Sequence, residues 1–85
     1  MEDQESRPDD RVTEAARRAL AARGFVPESP LGTESDLADY FGLKPRTIKE
    51  WRARKFGPRP IRLGRTIRYD MFEAAAWAEA QKDSS

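Results

Sequence analysis

The chain has 85 residues, 36% of them charged, with no cysteine and no histidine. That length allows one small domain, and the composition rules out disulfides, thiolate or imidazole metal sites, and any nucleophile or base built on Cys or His. The net charge of +1 conceals a split: residues 44–68 hold ten bases (Lys44, Arg46, Lys49, Arg52, Arg54, Lys55, Arg59, Arg62, Arg65, Arg68) against the single acid Glu50, and the remainder carries six bases against fourteen acids.

A concentrated basic stretch inside an otherwise acidic chain is the footprint of a polyanion-binding surface, whereas a merely solvated face usually mixes its signs. No apolar run approaches the roughly 20 residues of a membrane span, and the N-terminus lacks the basic and apolar regions of a secretion signal. The expectation is a cytoplasmic protein with no membrane, cofactor, metal or small-molecule substrate, and no enzymatic activity.

In chain order, residues 1–9 are polar and acidic without periodicity and read as a disordered tail. A helix is expected from Asp9 or Asp10 to Arg23, with Gly24 as its stop and Val12, Ala15, Ala16, Ala19 and Leu20 as one apolar stripe. Phe25, Val26 and a Pro-Glu-Ser-Pro linker follow, so residues 10–32 form an N-terminal helix and linker ahead of a main domain at residues 33–82.

Thr33 is the N-cap candidate of the next helix, with Asp36 in the reciprocal capping position. Leu37, Ala38 and Phe41 face inward, and Gly42 ends the helix. Leu43 plugs the turn, and Pro45 stands where a helix best tolerates proline, at its first position. The following helix, expected over residues 45–55, turns Ile48 and Trp51 inward and Arg46, Thr47, Lys49, Glu50, Arg52 and Arg54 outward. Two short helices joined by a tight glycine turn, the second apolar behind and basic in front, form the helix-turn-helix pattern. Such a helix fits the major groove of B-DNA, where arginine can bond guanine and glutamate can accept from the cytosine amino group. For Glu50 an i,i+4 ion pair with Arg46 or Arg54 stands equally open. The spacing makes Trp51, and likewise Trp77, core residues.

Beyond residue 60 the period becomes two. Ile61 and Leu63 alternate with Arg62, Gly64-Arg65 reads as a two-residue type II′ turn, and Thr66-Ile67-Arg68-Tyr69 returns. Arg62, Arg65 and Arg68 project from this hairpin, with Arg65 at the tip able to enter a minor groove; for Arg62 and Arg68, phosphate contact alone stands beside groove contact. Asp70 and Glu73 make a capping pair for a last helix over residues 71–81, with Met71, Ala74, Ala75 and Ala78 on one stripe widened by Phe72 and Trp77. The whole reads as mainly α with a small β-hairpin: a winged helix-turn-helix plus an extra N-terminal helix.

Residues 33–80 resemble the excisionase and AlpA-like branch of the MerR-type winged helix-turn-helix proteins. The resemblance lies in Leu-Ala-Asp-Tyr-Phe-Gly before the turn, Arg-Thr-Ile-Lys-Glu-Trp in the second helix, and Pro-Ile-Arg-Leu-Gly-Arg-Thr-Ile-Arg-Tyr in the hairpin. It implies a major-groove helix using Arg46, Thr47, Lys49, Glu50 and Arg52, and a minor-groove or phosphate contact from Arg65. It also implies a recombination directionality factor of a phage or integrated element, which binds and bends attachment-site DNA alongside an integrase and further copies of itself. A small transcriptional regulator is the alternative on the same surface. A protein-interaction adaptor or antitoxin-like module, using the apolar stripes of the first and last helices, is the alternative from another class. The chain departs from the family in having Lys44 where Ser or Thr usually caps the second helix, in its extra N-terminal helix, and in lacking the long dimerisation helix of full MerR regulators.

Overall fold

The computed structural model describes residues 12–84, which form four helices and a three-stranded antiparallel sheet. The acidic tail expected over residues 1–9 and a helix start at Asp9 or Asp10 lie outside the described residues. The first helix, α1 (Glu14–Ala22), begins later than expected because Thr13 has extended backbone and its hydroxyl accepts from the Ala16 N–H. The expected stripe is narrower too. Leu20 is fully buried, Val12 is buried just ahead of the helix and Ala16 is half-buried, but Ala15 and Ala19 face solvent.

Three helices close in the same way. The N–H groups of Phe25, Leu43 and Phe56 bond back to the carbonyls of Leu20, Ala38 and Trp51 at 2.9, 2.8 and 2.9 Å. The residue before each has positive φ: Gly24 at 94°, Gly42 at 73° and Lys55 at 58°. These bonds satisfy carbonyls that a helix end would otherwise leave orphaned. The first ends α1, the second ends α2 (Glu34–Phe41), and the third follows α3 (Pro45–Ala53), which stops short of the expected residue 55. Thr33 and Asp36 form the reciprocal capping box of α2, at 3.0 and 2.9 Å. Lys44 offers α3 no side-chain cap, so Pro45 alone marks its start.

The sheet holds a strand that the expected hairpin did not include. β1 (Leu31–Gly32) pairs with β3 (Thr66–Asp70), which pairs in turn with β2 (Ile61–Leu63), giving the order β1-β3-β2. Gly32, opposite Tyr69, has no room for a side chain: a Cβ there would lie 2.8 Å from the Met71 sulfur. Asp70 caps α4 (Met71–Ser84) by accepting from the Phe72 and Glu73 N–H groups at 2.9 and 3.1 Å. Glu73 does not complete an expected capping pair; its carboxylate turns toward Arg59 at 3.6 Å. The helix runs three residues past the expected 81.

Leu20, Leu37, Ile48, Tyr69, Met71, Phe72, Ala74 and Ala75 form the core with Val12 and Ala38. In this core α1 packs against α4, and α2 against α3. Beside this core lies an aromatic cluster of the half-buried Phe41, Trp51 and Trp77 with the exposed Phe56, the Trp51 and Trp77 rings 5.5 Å apart and Phe56 edge-on to both. Aromatic pairs at such spacings contribute about 0.5–1.5 kcal/mol beyond their area burial. An ion pair between Arg23 and Asp39, with the Arg23 guanidinium over the Tyr40 ring, ties the end of α1 to α2.

Candidate nucleic-acid interface

The packing of α3 decides which of its side chains face outward. Ile48 is buried in the core and Trp51 sits in the aromatic cluster. Arg46, Lys49, Glu50 and Ala53, at i, i+3, i+4 and i+7, are all exposed and share the opposite face. Thr47 is half-buried at the edge of that face, and Arg54 is exposed just past the end of the helix.

Arg52 is placed differently. Its Nε and Nη2 both donate to one Glu34 oxygen, at 2.9 and 2.5 Å, with only 24% of Arg52 and 20% of Glu34 exposed. These bonds hold the guanidinium pKa above its ordinary value despite the opposing effect of burial. The Tyr69 hydroxyl is close enough to the same guanidinium for each to influence the other's pKa. Its pKa is raised, chiefly by burial and then by the Glu34 carboxylate, with Arg52 opposing.

The hairpin presents its arginines in three directions. Gly64 has φ of 68°, and Arg65 beside it does not share a positive φ, as a type II′ turn requires. Arg65 is exposed at the tip. Cross-strand partners share a face, so the register Arg62↔Ile67 and Ile61↔Arg68 puts Arg62 and Arg68 on opposite faces of the ribbon. Arg62 shares the ribbon face of Ile67 yet is exposed, while the half-buried Arg68 bonds the Ile67 carbonyl at 2.9 Å. Leu63, beside the tip, is 50% exposed.

Two open grooves lie beside the hairpin, one against the starts of α2 and α3, the other along residues 55–60. One, of about 490 Å³, is lined by Thr33, Ser35, Lys49, Thr66 and Arg68 among others; the second, of about 350 Å³, by Lys55, Phe56, Arg59 and Arg62 among others. Arg52 lines both.

Of the ten bases in residues 44–68, only Arg52 and Arg59 reach a carboxylate among the described residues. Lys44, Arg46, Lys49, Arg54, Lys55, Arg62, Arg65 and Arg68 have no ionic partner there. Glu50 has none either, so the i,i+4 pair left open for it does not form. Glu50 is the one acid on the exposed face of α3, so the surface made by α3 and the hairpin carries a large excess of unpaired positive charge. Among the described residues no cluster of carboxylates is suited to a metal ion, and no helix is long and apolar enough to cross a membrane. No family model matches the chain, and no curated protein matches it in sequence.

Proposed function

We propose that this chain is a winged helix-turn-helix protein that binds duplex DNA, with α3 in the major groove and the β2–β3 hairpin on the adjoining minor groove or phosphates. The observation that carries the reading is the set of eight unpaired bases on α3, its flanks and the hairpin. A cationic surface built on a helix and a ribbon, each narrow enough for a groove, is suited to a polyanion of regular shape. Arg46, Lys49 and Glu50 are the base-reading candidates, Thr47 and Arg54 flank them, and Arg62, Arg65 and Arg68 anchor the hairpin.

Within that reading the chain acts as an excisionase, bending attachment-site DNA for an integrase. The support is the resemblance of residues 33–80 in three motifs that stand in register. A transcriptional regulator would use the same surface, and an adjacent integrase gene and attachment site, as against a divergent promoter, separate the two. The adaptor reading loses its main surface, because the α1 and α4 stripes pack on each other.

The test is binding to short duplexes over a range of salt concentrations. Affinity should fall steeply with salt, in proportion to the phosphates neutralised. A flat dependence would sink the assignment. A bending assay on attachment-site DNA, followed by excision with the cognate integrase, tests the biological role.

A further inference from the structure

We propose that Arg52 does not contact DNA but sets the separation between α3 and the hairpin, by gripping Glu34 at the start of α2 and lying close to Tyr69 of β3. This rests on the duplex-DNA reading of the same surface.

Arg52 projects about 120° around the helix from Arg46, at 100° per residue, toward the hairpin and away from the exposed face. Both of its bonds go to one carboxylate oxygen, and both partners are three-quarters buried or more. Tyr69, 2% exposed, belongs to the strand whose register orients Arg62 and Arg68. One side chain thus ties α3 and β3, the two elements that must meet DNA together, to the start of α2. It also lines both grooves.

Charge argues the same way. To reach a phosphate, Arg52 would have to release Glu34 and leave a partly buried carboxylate unpaired, which is costly. It would also leave that carboxylate beside the phosphate. Glu34 opposes an anion in a groove otherwise lined by Lys49, Arg52 and Arg68, so its contribution is to geometry.

The test uses the full chain with Arg52→Met, Arg52→Lys, Glu34→Gln and the Glu34→Gln/Arg52→Met pair. The DNA is a duplex selected by the wild type from a randomised pool, and a random-sequence duplex. Each variant is first checked for wild-type circular dichroism, and Glu34→Gln, the most nearly isosteric change, carries the test if the others do not fold. Every single variant should lower the ratio of selected to random affinity about tenfold. The dependence of affinity on salt should stay that of wild type, and the double variant should be no worse than its parents, since both remove one interaction. Arg52→Lys should fail to rescue, because an ammonium cannot reproduce the two-nitrogen grip.

Direct contact would give the opposite pattern. Arg52→Met would reduce the salt slope by about one, or Glu34→Gln would tighten binding to both duplexes by freeing a cation; either result overturns the proposal alone. A wild type that binds no duplex overturns the DNA reading and this inference together.

Discussion

The Trp51 indole lies directly over the Gly57 backbone: a Cβ at position 57 would stand 2.7 Å from the Trp51 Cε3 atom. Gly57 also has φ of 88°, a conformation that side chains rarely adopt. Contact and backbone thus make the same demand, and the chain leaving α3 turns only because nothing projects from this residue. Gly57→Ala should push the indole out of its cluster with Phe41, Phe56 and Trp77. The expected loss is about 1–3 kcal/mol, read as a lower denaturant midpoint together with a changed tryptophan emission. An unaltered midpoint would show that the cluster shifts freely.

Two residues earlier the sign reverses. Lys55 closes α3 with φ of 58°, the only described non-glycine residue with positive φ. Relieving that conformation is worth about 1–2 kcal/mol, against about 0.4–1 kcal/mol of added freedom in the unfolded chain. Lys55→Gly should therefore stabilise the protein by about 0.5–1 kcal/mol, measured by urea denaturation. The same variant removes one unpaired base, so it should bind duplex DNA more weakly while melting higher.

Leu20 is fully buried where α1 meets α4. Ala16 is half-buried and the remaining alanines of α1 face solvent, so this one side chain carries most of the helix's attachment. Leu20→Ala should cost about 2–5 kcal/mol and shift the whole thermal transition. A transition that stays put would mean that α1 packs on the rest independently of Leu20.

Tyr69 supplies a pH dependence. Its pKa is raised above the ordinary 10.0, first by burial and then by Glu34, with Arg52 opposing. Above pH 10 the unfolded chain gives up the phenolic proton while the folded chain keeps it, so stability falls as pH rises; below pH 10 this group contributes no slope. Tyr69→Phe should lessen the alkaline loss while leaving the pH slope near neutrality unchanged, as followed by denaturation midpoints across that range. Tyr40, raised chiefly by its own burial, should retain its share of the slope.

Arg46 and Arg65 separate reading from anchoring. Arg46→Ala should cost about 1–3 kcal/mol on a selected site and relax preference there; equal losses on selected and random duplexes would place Arg46 on phosphate alone. Arg65→Ala should weaken every duplex and reduce the salt slope by about one. Its circular dichroism should remain that of wild type, because Arg65 is exposed at the tip with no ionic partner among the described residues.

Much of this architecture is legible along the chain because its signals are local. The Thr33–Asp36 capping box, the Gly42 stop, Pro45 at the start of α3 and the Gly64-Arg65 turn each involve residues within a few positions of one another. So does the pairing of a buried Ile48 with an exposed Arg46 and Lys49, which is helical periodicity alone. The concentration of bases in residues 44–68 is plain from counting.

Other features depend on what each element meets. A two-residue strand has no periodicity, so β1 exists only because β3 offers it an edge at Tyr69 and Asp70. An alanine-rich helix has no marked inner side until another helix covers it, and so Ala15 and Ala19 proved exposed. Strand register, not residue type, sent Arg62 and Arg68 to opposite faces. Arg52 looks like its basic neighbours in sequence; Glu34, eighteen positions away, sets it apart. By itself the sequence determined the helices, the tight turns and the stretch that carries positive charge, since these arise from contacts within about one helical turn. Only the tertiary structure decided which bases remain unpaired and where they point, because ion pairs and registers form between residues that folding alone brings together.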